Sequence, residues 1–238
     1  MRTPLLLINF KTYIEATGKK SIDLAKTAEQ VATEKGVNIA VAPQFSDLKP
    51  ISEAVDIPVF SQHIDPIRPG AYTGHILAEA VRSAGADGTL VNHSERRIKV
   101  SAIEETLEIA RSAELVTIVC ANTAGVGAAV AALDPDMIAI EPPELIGTGV
   151  AVSKAQPELI TRTIARIRNV NHTVNILCGA GVSYAEDVTS ALTLGTDGVL
   201  VASSVVRNKD PNKLLQEMAD AMLNHGTLRL PRSAPTSN

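Results

Sequence analysis

Short apolar runs alternate with longer amphipathic stretches eight times along this chain. Runs of four to six apolar residues without polar alternation suit strands of a parallel sheet that is covered on both faces. Such runs fall at 5–9, 38–42, 58–63, 87–92, 115–120, 136–141, 173–178 and 196–201. Helical spacing of apolar residues predicts helices at 21–35, 47–54, 75–84, 101–112 and 156–168, one from just after Ser183 to 194, and one at 211–223. The Ala-rich stretch 125–133 supports only a weak or short helix. Gly36 ends the first helix, and Pro211 stands at the first turn of the last. Eight strand–helix units make an α/β chain with the content of a single (β/α)8 barrel, here with shortened helices. A doubly wound open sheet would normally carry a Gly-rich dinucleotide turn after its first strand, and Asn9-Phe10-Lys11 stands there instead. An internal echo supports regular winding: 84–91 resembles 194–201, each placing a helix-ending Gly and a turn before an even-numbered strand.

A length of 238 residues fits one such barrel. The expected division is a barrel over 1–223 and a polar, Pro/Ser/Thr-bearing tail over 224–238, partly disordered. Three Phe, three Tyr and no Trp leave the core to aliphatic side chains. A net charge of -4 offers no basic patch for nucleic acid or an anionic membrane. No apolar run reaches the ~18 residues that a membrane span requires. The run at 5–8 is too short for a signal peptide, and no small-residue cleavage site follows it. Cys120 and Cys178 both end apolar runs and sit in no metal-ligand spacing, so they read as free thiols in a reducing, cytoplasmic setting.

In a barrel the reactive groups come from the C-terminal ends of the strands. Strand one ends in Asn9 and Lys11, strand three in Gln62-His63-Ile64-Asp65, strand four in Asn92-His93-Ser94-Glu95 and strand six in Glu141. Strands seven and eight end in small residues, Gly179-Ala180-Gly181 and Ala202-Ser203-Ser204, the usual phosphate corner of such barrels. Taken singly these are ordinary residues: a surface ammonium, a structural histidine, a solvated charge cluster, a tight turn. Their shared place at strand ends is what gives them meaning. Glu141 is a candidate general base. His93 opens a segment of helix-start character, where a neutral imidazole can donate to a carbonyl oxygen. Lys11 can stabilise a developing oxyanion. No cluster of His, Cys or carboxylates makes a metal site, and no cofactor is implied. Proton abstraction beside a carbonyl in a small phosphorylated substrate is the chemistry these types favour.

The stretch Ala139-Ile140-Glu141-Pro142-Pro143-Glu144-Leu145-Ile146-Gly147-Thr148-Gly149 adds a base at a strand end, a stiff hinge and a Gly-rich tip. Those are the parts of a lid that closes over a substrate.

At this point three separated motifs resemble the triosephosphate isomerase family along nearly the whole chain. They are Asn9-Phe10-Lys11, His93-Ser94-Glu95-Arg96-Arg97, and the Glu-Pro lid with its Ile-Gly-Thr-Gly tip. The short length, Glu-Pro-Pro-Glu and Gly-Ala-Gly-Val-Ser look like the family's archaeal branch. The resemblance implies a TIM barrel that interconverts dihydroxyacetone phosphate and D-glyceraldehyde 3-phosphate without metal or cofactor. It implies that Glu141 moves the carbon-bound proton, that His93 serves the two oxygens, and that Lys11 and Asn9 bind substrate and stabilise the enediolate. Glu95 would position Lys11. Ile146, Gly147, Gly181, Ala202 and Ser203 would line the phosphate. Ala71-Tyr72-Thr73-Gly74 resembles a loop that reaches into a neighbouring subunit, with a homotetramer expected and a dimer as the alternative. Two departures stand out: Ala202-Ser203 where many members have Gly-Gly, and Glu144 where an aromatic is common. The rival readings are another sugar-phosphate isomerase or epimerase barrel, and a non-catalytic barrel used for binding.

Overall fold

The computed structural model describes residues 2–141 and 157–226. Its strands are β1 (Leu5–Asn9), β2 (Asn38–Ala42), β3 (Phe60–Ser61), β4 (Gly88–Val91), β5 (Val116–Ala121), β6 (Met137–Ile140), β7 (Asn175–Cys178) and β8 (Gly198–Val201). All pair in parallel in the order β2-β1-β8-β7-β6-β5-β4-β3. The last seam, between β2 and β3, closes through one bridge, Val41 to Val59. The helices are α1 (Lys19–Lys35), α2 (Leu48–Ser52), α3 (Ala78–Ser83), α4 (Val100–Ser112), α5 (Ala124–Ala131), α6 (Pro157–Arg168), α7 (Ala185–Thr193), α8 (Ser203–Val206) and α9 (Pro211–Gly226).

Alternate strand residues face alternate layers. Leu5, Leu7, Ala40, Phe60, Leu90, Ile118, Met137, Leu177 and Leu200 fill the barrel interior. Leu6, Ile8, Ile39, Val41, Val119, Ile138 and Val199 pack outward under the helices. Every strand except the two-residue β3 is therefore apolar on both faces, which is why the runs lack polar alternation.

Several bounds differ from the sequence reading, each for a local reason. β3 is two residues long rather than the six of 58–63. Past Ser61 the Gln62 side chain takes over, with Nε2 donating to the Ala42 carbonyl at 3.0 Å. α3 begins at Ala78 rather than 75, because the Ile76 N–H is held by Asp65 Oδ2 at 2.7 Å and turns away from a helix. α8, only four residues long, is too short to show helical spacing, and α9 continues to Gly226, past the expected end at 223. The rest of the expected tail, 227–238, lies outside the described residues.

The barrel floor explains the internal echo. A polar residue at or just before the start of every even-numbered strand grips its neighbour. Asn38 Nδ2 donates to the Pro4 carbonyl at 3.2 Å. Asp87 Oδ2 accepts the Val59 N–H at 2.9 Å. Asp136 Oδ2 accepts the Thr117 N–H at 2.8 Å. Asp197 Oδ2 accepts the Ile176 N–H at 3.0 Å and Arg168 Nη2 at 2.9 Å. The Asp87 and Asp197 carbonyls reach the other way, accepting Val116 N–H and Leu5 N–H. The glycine that follows two of these carboxylates is equally constrained. A Cβ on Gly88 would strike the Val116 carbonyl, and one on Gly198 would strike the Leu5 carbonyl. Asp-Gly is thus a bolt followed by a close approach.

Asp197 is 3% exposed. Asp197→Ala would leave the Ile176 N–H and the Arg168 guanidinium with a lost partner. We expect it to lower unfolding stability by about 3 kcal/mol. Urea denaturation measures this, and a loss under about 1 kcal/mol, the scale of an exposed ion pair, would show that the bolt is not structural.

Candidate active site

Lys11 lies just beyond β1 in a left-handed conformation, with φ of 47°. Such a conformation is costly for a long side chain and needs outside support. Three contacts supply it. Asn9 Oδ1 accepts the Lys11 N–H at 2.9 Å. Gln62 Nε2 donates to the Lys11 carbonyl at 2.8 Å. Glu95 Oε1 takes Lys11 Nζ at 2.9 Å. The ammonium is aimed by its backbone and held by its tip.

His93 follows β4 and is buried. Its carbonyl accepts the Arg96 N–H at 2.8 Å, so residues 93–96 form a turn, and α4 begins at Val100, one residue before the expected 101. The dipole acting on the ring is therefore one turn amide rather than a helix terminus. The Glu95 N–H donates to His93 Nδ1 at 3.2 Å. An Nδ1 that accepts assigns the neutral tautomer with its proton on Nε2. That nitrogen lies 3.1 Å from Glu141 Oε1.

Glu141 is only 3% exposed at the end of β6. Its N–H donates to the Ala121 carbonyl at 2.8 Å, which extends the β5–β6 ladder by one rung. Oε2 accepts the Ser94 N–H at 3.4 Å. Room for the side chain comes from Gly179, where a Cβ would lie 2.8 Å from Glu141 Cγ. Sequence reasoning took Gly179 for phosphate-corner backbone; its tightest neighbour is the Glu141 side chain.

Lys11, His93 and Glu141 share one cavity of about 200 Å³ with Gly181, Ala202 and Ser203. Gly181 has a φ of 68°. Among the described residues the N–H groups of Gly181, Ser203 and Ser204 have no hydrogen-bond partner, those of Ser203 and Ser204 opening the short α8. Oriented free amides of this kind receive anions. Asn9 and Glu95 border an adjoining cleft of about 400 Å³, with Lys11 and His93 on the wall between. Ile146 and Gly147 lie outside the described residues, as does the rest of the expected lid beyond Glu141. Two larger clefts, of about 450 and 540 Å³, open at the opposite rim around Val116.

Three supporting side chains had no motif to announce them: Gln62, Asn92 and Cys120. Only Asn92 carried a signal, since Asn tolerates left-handed backbone and directly precedes His93. Both cysteines are free and buried. Burial, then the Glu141 carboxylate beside it, pushes the Cys120 thiol well above its ordinary range. Burial pushes the Cys178 thiol up to about 12.

A parallel barrel whose C-terminal rim joins a carboxylate, an imidazole and an ammonium to free backbone amides is a barrel enzyme of the acid–base class. Comparison with known proteins narrows this. A family model described as triosephosphate isomerase matches residues 4–218. The triosephosphate isomerase of Methanocaldococcus jannaschii is 51% identical over 214 residues, covering 90% of this chain and 98% of that protein. Those of Methanoculleus marisnigri and Methanothermus fervidus are 52% and 50% identical over 222 residues, covering 93% of this chain and 100% of each relative. The chain belongs to the triosephosphate isomerase family.

Raised thiol pKa values keep both cysteines protonated at neutral pH, where a thiol is a poor nucleophile. A thiol reagent at pH 7.5 is expected to leave Cys120 and Cys178 unmodified in the folded protein and to label both in denaturant. Fast labelling of Cys120 in the folded state would contradict its burial against Glu141.

Proposed function

We propose that the chain interconverts dihydroxyacetone phosphate and D-glyceraldehyde 3-phosphate, as a cytoplasmic step of glycolysis and gluconeogenesis. The observation that carries this reading is the 3.1 Å approach of His93 Nε2 to Glu141 Oε1, in a cavity that Lys11 and the Gly181 and Ser203 amides also line. Family membership and archaeal relatives near 50% identity support it independently.

In this reading Glu141 removes a proton from C1 of dihydroxyacetone phosphate. The C–H electron pair becomes the C1–C2 double bond of an enediolate, and the carbonyl oxygen takes the negative charge. The His93 Nε2–H and the Lys11 ammonium stabilise that charge, where fixed donors act without reorganisation. Substrate oxygen replaces Glu141 as the acceptor on Nε2, which frees the carboxylate for carbon. Glu141 returns the proton to C2, and the imidazole serves both oxygens. Triosephosphate isomerase is the standard illustration of a neutral histidine beside a glutamate base, so these roles follow the family as well as the geometry. Asn9 and Glu95 act through Lys11. Gly181, Ala202 and Ser203, with Ile146 and Gly147 of the lid, hold the phosphate. Ser203 and Gly181 would bind through N–H groups, with the Ser203 hydroxyl adding about 1 kcal/mol or less.

We also propose a homo-oligomer, a tetramer of the archaeal type. Residues 71–74 form an exposed loop. Its root is pinned, with the Asp65 N–H donating to the Ile76 carbonyl at 2.9 Å and the Ile76 N–H returning to Asp65 Oδ2 at 2.7 Å. The cleft beside Lys11, lined by Thr12, Phe45, Gln62, Glu95 and Arg96, is open to receive such a loop from a second copy. A protruding loop and a cleft on one surface suit a two-fold interface. Light scattering at assay concentration is expected to report an oligomer; a fully active monomer would refute this.

A coupled isomerase assay tests the activity. Glu141→Gln keeps the shape but cannot take a proton, and should lower kcat by roughly 10²–10⁴ with the circular dichroism unchanged. A Glu141→Gln protein with near-normal kcat would place the base elsewhere. Activity should also survive exhaustive chelation, since an acid–base pair and an ammonium supply the whole mechanism. Loss on chelation with recovery on adding a divalent ion would favour an epimerase-type barrel instead.

A further inference from the structure

Asn92 sits between β4 and the histidine turn and lines neither cleft of the site. It adopts a left-handed conformation, with φ of 59°. Glycine would take that conformation at less cost, so the backbone alone does not account for the side chain. Both ends of its carboxamide are used. Oδ1 accepts the Ile98 N–H at 3.0 Å, which closes the loop that carries His93. Nδ2 donates to the Cys120 carbonyl at 2.9 Å, on the neighbouring strand β5.

The second bond has a consequence for the reacting pair. The β4–β5 ladder ends at Val91 and Val119. Past that point the left-handed turn carries the Asn92 backbone away from β5, and the carboxamide makes the next link in its place. Cys120 is the residue whose thiol is pushed up by burial and by the Glu141 carboxylate beside it. Ala121, the next residue, accepts the Glu141 N–H. The end of β5 is therefore a shared reference: Glu141 hangs from one side of it, and His93 is tied to the other through Asn92. We propose that Asn92 is a positioning residue for the isomerase reaction, setting the His93–Glu141 distance by bolting the histidine turn to β5. This rests on the isomerase reading above.

Asn92→Gly keeps the left-handed turn and removes both bonds. Misplacement of a reacting group by about 1 Å can cost ~10²-fold in rate. We expect kcat to fall roughly 10- to 100-fold, with KM and the inhibition constant of glycerol 3-phosphate within about twofold of the parent, because the phosphate amides are untouched. Asn92→Asp also tolerates the turn and keeps an acceptor for Ile98, but loses the donor to Cys120. Its kcat should fall by a similar factor. Imidazole nitrogen-15 NMR, which needs no turnover, should report a single Nε2–H tautomer for His93 in the parent and a tautomer mixture in both variants. If the parent itself lacks isomerase activity, the functional reading fails, and the NMR comparison still tests the positioning. A normal kcat in either variant, an equal loss of glycerol 3-phosphate affinity, or an unchanged His93 signature in both would overturn the proposal.

Discussion

Register in a barrel built from such short strands depends on three carboxylates at its floor. Asp87, Asp136 and Asp197 each capture a backbone N–H of the preceding strand before the ladder begins. A slip of one residue would exchange interior for exterior side chains on every strand. It would also carry the strand ends to different heights, and the groups beyond Asn9, Val91 and Ile140 would no longer meet. The floor, which has no part in chemistry, fixes the geometry of the rim.

At the rim the same economy of means appears in polar side chains. Gln62 spans the Ala42 and Lys11 carbonyls, and Asn92 spans Ile98 and Cys120. Both replace backbone rungs where a strand has stopped. Both support a residue at or beside a left-handed position, Lys11 in the first case and Asn92 itself in the second. Strained backbone persists only where its surroundings over-determine it, and here the supports can be named.

The fold was legible because burial on both faces writes itself into composition: β1 and β2 were read to the residue. Where polar side chains replace backbone rungs, the reading overshot, as with β3, whose expected strand ran on through Gln62 and His63. The charged groups of the site were legible from their place at strand ends and from family motifs. The Asp-Gly echo was visible as a repeat, but its meaning needed coordinates, since hydrogen bonding to a neighbouring strand leaves no periodicity. Asn92 and Gly179 were named at strand ends and Cys120 as a free thiol, but their partners were not legible, for the same reason. Each acts on another residue, and only contact reveals the pairing.

The central claim is that one buried carboxylate, held between β5 and the histidine turn, carries a proton between two carbons. Nuclear magnetic resonance of dihydroxyacetone phosphate incubated with the protein in deuterium oxide tests it most directly. The account predicts incorporation of one deuteron, at a single stereochemical position of C1, at a rate comparable with isomerisation. Exchange of both C1 hydrogens alike would contradict a single carboxylate acting on one face of the substrate.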